Sequence, residues 1–167
     1  MFLIKRAFVL FLVFFFISFP NTKVSAVEVN LPNISITPNN YLLYSIKRLS
    51  EKVFLFTKIS NEAKINYYKE LTLKRLAELK YVVENKLIGE IQYSSQRLSY
   101  EVGTLSDFIS VNKTKLTKNE AQNVKELLTS FNSLLASLRD KYPANSSYWM
   151  LIQHDINSID INLEKLK

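Results

Sequence analysis

Three charged residues, Glu51, Arg75 and Glu78, stand out as groups able to do chemistry, with Tyr44, Lys47 and Arg48 close to the first of them. Two carboxylates are what glycoside cleavage uses, one as proton donor and one as base or nucleophile. That pairing needs a concave site built largely from loops, and a chain with 2 Gly in 167 residues has few places to make one. The same side chains suit a different task. Tyr44, Lys47, Arg48, Glu51, Arg75 and Glu78 would form a charged interaction surface gripping an anionic or peptidic ligand or, more plainly, salt-bridge the two arms of a helical hairpin.

Other reaction types lack their residues. His154 is the only histidine, so a His-based metal cluster or a relay between histidines cannot be built. It is beside Asp155, which on a helix would point about 100° away from it; a surface histidine is the expectation. The absence of cysteine excludes thiol catalysis, thiolate metal sites and lipid attachment through an N-terminal cysteine. No glycine-rich phosphate loop occurs. No catalytic, cofactor-binding or metal-binding residue is therefore assigned, and no cofactor is expected.

The elements that must carry these groups read as helices. The stretch Ser60 to Lys86 has no Gly or Pro, and Ile65, Tyr68, Leu76, Leu79 and Val83 share one face. Before it, Leu42, Ile46, Leu49, Val53 and Phe56 step by four, three, four and three from Asn40 to about Lys58. That stripe is expected to face the core, with Lys47, Arg48, Glu51 and Lys52 pointing away. Ile59-Ser60 is so short a link that the two helices should fold back on each other, placing Tyr44 beside Arg75, Glu51 beside Tyr68 and Arg48 near Glu70.

Gly89 is the expected left-handed stop after the second helix. A third follows on Ile88, Ile91, Leu98, Val102, Leu105 and Ile109, with Ser95 in the missing slot and Gly103 marking a bend or a close approach. Thr117 and Glu120 have the spacing of a capping box ahead of Val124, Leu128, Phe131, Leu135 and Leu138. Tyr142-Pro143 ends that helix, and Ser146 or Ser147 starts a last one seamed by Trp149, Ile152, Ile156, Ile159, Leu163 and Leu166. The fold class is all-α: about five amphipathic helices in antiparallel hairpins forming an elongated up-and-down bundle.

Residues 1–26 read as a signal peptide: Lys5 and Arg6, the apolar run Ala7 to Phe19, then Val24-Ser25-Ala26 before the expected cut. If uncleaved, the same segment would serve as an N-terminal anchor. Residues 27–39 form an extended leader rich in Asn and Pro, and 40–167 a single helical domain. The net charge of +7 falls to +4 once Lys5, Arg6 and Lys23 leave with the signal, a mild bias that fits a Lys-rich solvated surface. Seven tyrosines between Tyr41 and Tyr100 suit the rim of a helical groove or the boundary of the core. Three glycosylation-like triplets, at Asn33, Asn112 and Asn145, are accidental in an Asn-rich chain.

The run Tyr44-Ser45-Ile46-Lys47-Arg48-Leu49-Ser50-Glu51-Lys52, of the form Tyr-x-x-Lys-Arg-x-x-Glu-Lys, and the run Arg75-Leu76-Ala77-Glu78-Leu79 carry a family resemblance. Over roughly Pro38 to Phe108 the sequence resembles a bacterial family of exported helical proteins known as a domain of unknown function; residues 115–167 lie outside that resemblance. It implies an envelope or secreted helical domain and brings no activity, ligand or catalytic residue. The function expected is an exported, non-enzymatic interaction module at the bacterial cell envelope, with an envelope hydrolase acting on cell-wall polymers as the alternative. Its partners would be a protein or a second copy met through helix faces, or an anionic envelope polymer or membrane surface, but no nucleic acid.

Overall fold

The computed structural model describes residues 29–167, so the expected signal peptide, its cleavage after Ala26 and the first two leader residues lie outside the described residues. Among the described residues there are five α-helices and no strand: α1 Tyr41–Phe56, α2 Asn61–Glu84, α3 Ile88–Val111, α4 Lys118–Arg139 and α5 Ser147–Lys165. A short 3-10 turn, Lys113–Lys115, links α3 to α4.

Every start except that of α3, where Leu87 offers no capping side chain, is set by a side chain that satisfies an otherwise unbonded amide. Asn40 Oδ1 accepts from Leu43 N at 3.4 Å, Ser60 Oγ from Ala63 N at 3.1 Å and Ser146 Oγ from Trp149 N at 3.1 Å. Thr117 and Glu120 form the full capping box, with Thr117 N donating to Glu120 Oε2 at 2.7 Å and Glu120 N donating to Thr117 Oγ1 at 3.3 Å.

The stop between α2 and α3 differs from expectation. Lys86, not Gly89, adopts the left-handed conformation, with φ 55°. Leu87 N then bonds Val82 O at 2.9 Å and Lys86 N bonds Val83 O at 3.2 Å, the paired bonds of a Schellman turn. Gly89 lies in the first turn of α3.

Four helices make the core. α2 packs on α3, α3 on α5, α5 on α4, and α4 touches α2, which closes a four-helix ring. Leu76, Leu79, Val82, Ile91, Leu98, Leu105, Leu128, Phe131, Leu135 and Ile152 are all buried in it. The leader runs over the surface with Val29 and Leu31 packed against this core.

In α5 the buried seam is rotated from the expected one. Ile152, Asp155, Ile159, Asn162 and Leu166 face inward, and Trp149, Ile156 and Leu163 are half-buried. A Cβ at Gly103 would meet nothing within 4 Å, so no helix approaches closely there.

The larger correction concerns α1. Leu42, Ile46, Leu49, Val53 and Phe56, expected to face the core, are 57–87% exposed. Tyr44 and Glu51 are buried instead, with Lys47 and Arg48 half-buried. α1 lies on the ring with its polar side down. The reason is on α2, whose outward side carries Arg75 and Glu78. Leucines laid over those charges would desolvate them and offer no partner, whereas Tyr44, Lys47 and Glu51 of α1 hydrogen-bond to them there.

Candidate functional site

The six residues singled out by type and spacing meet at one place, the contact between α1 and α2. Tyr44, Lys47, Arg48 and Glu51 share a face of α1 because they are three, four and seven residues apart. Arg75 and Glu78 are one turn apart on α2. Both are 1% exposed, so most of the expected interaction surface lies inside the chain rather than on it.

Glu78 is the hub. Its Oε2 accepts from Tyr44 Oη at 2.6 Å, its Oε1 from Lys47 Nζ at 2.7 Å, and both oxygens from Arg75 Nη1 at 2.7 and 2.9 Å. Arg75 also donates through Nη2 to Glu51 Oε2 and through Nη1 to Tyr44 Oη at 3.3 Å. The expected neighbourhood of Tyr44 and Arg75 is therefore present. Arg48 does not meet Glu70, which pairs with Lys74 at 2.8 Å; it approaches Glu101 of α3 at 3.7 Å. Glu51 meets Tyr67, whose Oη donates to the Glu51 carbonyl at 2.9 Å.

Two residues of α3 complete the cluster and escaped the sequence reading. Glu101 lies 3.7 Å from both Arg75 Nε and Arg48 Nη1. The Arg97 guanidinium stacks 4.8 Å above the Tyr44 ring. Their signal was faint, since a charged residue beside an apolar stripe looks like an ordinary flank.

Burial opposes charge on Glu78, Glu101, Tyr44 and Arg75. It would raise the Glu78 carboxyl, but Arg75, Lys47 and Tyr44 together bring it below its usual value. For Glu101 burial wins over Arg75 and Arg48, and its carboxyl is raised. Burial, with the Glu78 charge beside it, pushes the Tyr44 phenol up to about 12. Arg75 is pushed above its ordinary range, because Glu78, Tyr44 and Glu51 outweigh its desolvation.

Glu78 is poorly placed for acid catalysis. A general acid needs a carboxyl raised towards working pH, whereas Glu78 is held ionised and saturated by three donors. The cluster works as a polar lock that fixes α1 on α2 and α3 in one orientation. Tyr41 adds a rim contact, its Oη donating to Glu90 Oε1 at 2.7 Å. Between α1 and α3 the lock leaves an open groove lined by Tyr41, Tyr93, Arg48, Arg97 and Lys52.

A second polar site is buried in the core. Asp155 of α5 accepts from Ser99 Oγ at 2.7 Å, and burial pushes its carboxyl up to about 7 against the lowering effect of Ser99 and Ser95. Ser95 in the apolar series of α3 was its trace in the sequence. His154 beside it is exposed.

Among the described residues no group of three or more His, Cys, Asp and Glu could hold a metal ion, and no helix is long and apolar enough to cross a membrane. In comparison with known families, the model described as "Domain of unknown function (DUF5667)" matches residues 35–134. The match runs beyond Phe108 into α4, so part of 115–167 falls inside the family region after all. No curated protein and no solved structure matches the chain.

Proposed function

The chain belongs to the family described as a domain of unknown function (DUF5667), and from that footing we propose that it is a non-enzymatic helical interaction module whose docking element is the outward face of α1. One observation carries the reading. Leu42, Ile46, Leu49, Val53 and Phe56 stand in solvent on a helix that a buried ion network holds in that orientation. Clustered exposed apolar side chains favour being covered, and a rigid support lowers the entropy lost when they are.

The place of action we propose is the bacterial cell envelope. The support is the N-terminal sequence, with its basic start, short apolar run and small residues before Val27. The protein recovered from its native host should begin at Val27.

The docking reading is tested in cells with a photo-crosslinking residue in place of Leu49, and in place of the exposed Glu126 on α4 as control. Discrete adducts from position 49 that are absent at position 126 support it. Equal or absent labelling at the two positions overturns it. A hydrolase would instead need its Glu51 and Glu78 as working acids, which their pairing with Arg75 opposes.

A further inference from the structure

Resting on that reading of α1, we propose that the occupant of its outward face is a second copy of the same chain, and that two α1 helices pair in parallel as a short two-stranded coiled coil.

The register carries the argument. Leu42, Ile46, Leu49, Val53 and Phe56 repeat by four and three, as d, a, d, a and d of a heptad. The a positions, Ile46 and Val53, are β-branched, and d holds Leu42 and Leu49, the combination that favours two parallel strands. In the same register Tyr44 and Glu51 fall at f, directly opposite the seam. Those are the residues of α1 that are buried against the rest of the chain. The fold therefore takes the f side and leaves a and d in solvent.

The flanks identify the partner. Positions e and g are Leu43, Ser45, Ser50, Lys52 and Thr57, with one charge among them. In a parallel pair the g residue Lys52 faces Thr57 of the other copy, so no like charges meet across the seam. A membrane surface would call for cations along both edges of the apolar face, and Lys52 alone does not supply them. A partner helix selected by e and g charges would find almost nothing to pair with. A two-fold pair also suits the geometry, because the four-helix ring lies on the f side of each α1 and the two rings fall on opposite sides of the seam.

The test is analytical ultracentrifugation of residues 27–167 across a concentration series, beside Ile46→Glu and Ile46→Glu/Val53→Glu. The chain should show a monomer–dimer equilibrium. Each substitution should weaken it about tenfold or more, that is by about 1.4 kcal/mol or more. Both positions are exposed in the single chain, so far-ultraviolet circular dichroism should stay unchanged. As the chain has no cysteine, Val53→Cys should form an inter-chain disulfide on mild oxidation, and Glu126→Cys should not. A chain monomeric at every concentration, or a dimer indifferent to both glutamates, overturns the proposal. A disulfide at Leu49→Cys with none at Val53→Cys overturns the parallel arrangement. Failure here stays distinct from failure of the docking reading. Adducts from position 49 at twice the chain mass mean self-pairing, and adducts of another mass mean a different partner on the same face.

Discussion

At the scale of single residues the molecule depends on balanced charges out of water. Arg75 answers Glu78, Glu51 and Glu101 at once, and it is the one fully buried cation among the described residues. Arg75→Ala should cost about 3–5 kcal/mol in denaturant unfolding, because three carboxylates would lose their common partner. Arg75→Lys should recover only part, since an ammonium cannot present the guanidinium fork to Glu78 and Glu51 together. A loss under 1 kcal/mol for Arg75→Ala would show that the cluster does not hold α1. Asp155 poses the opposite case, a carboxyl with too little help. Its pKa rises from an ordinary 3.8 to about 7, so between those values the folded chain holds a proton that the unfolded chain releases. Stability from this group is full below about pH 4 and is lost as pH rises towards 7. Asp155→Asn removes that slope. Thermal unfolding should find the variant near wild type at pH 4 and more stable at pH 8, by up to about 4 kcal/mol at 1.36 kcal/mol per unit. A wild-type advantage that grows with pH would refute the assignment.

At the scale of elements, caps and stripes agree outside the α1 stripe, the stop after α2 and the α5 seam. Lys86 rather than Gly89 takes the left-handed turn because α2 runs to Glu84 before the chain reverses, leaving the stop at the second residue beyond. Gly103 sits inside α3 with open space where a Cβ would go. Gly103→Ala should therefore stabilise the chain by about 1 kcal/mol through backbone entropy alone, measured as a shift in denaturant midpoint. A loss of stability would reveal a contact at that position. α5 illustrates how a seam can shift by one residue. Trp149, Ile152, Ile156 and Ile159 offer a continuous apolar row, yet Asp155 and Asn162 occupy the buried track, and Ser99 on α3 supplies the hydroxyl that Asp155 needs.

At the scale of the whole molecule, α2–α5 form a ring held by apolar side chains, and α1 is fastened to it mainly by ions and tyrosines. That division predicts an order of opening. In Ile46→Glu/Val53→Glu, amide hydrogen exchange should release α1 before α2–α5, because few buried apolar contacts hold it. Simultaneous release would mean that the five helices form one cooperative unit. The sequence by itself determined five helices, their boundaries within a few residues, four of the caps or stops and most of the apolar core on α2–α4, since these follow from local hydrogen bonding and from periods of 3.6 residues. It also brought out six residues of the lock, though not Arg97 and Glu101 of α3. Only the tertiary structure decided which way α1 faces. A helix with an apolar stripe on one side and Tyr44, Lys47, Arg48 and Glu51 on the other is consistent with either side buried. The choice falls to what lies beneath it, and Arg75 and Glu78 on α2, with Glu101 on α3, require counter-charges there.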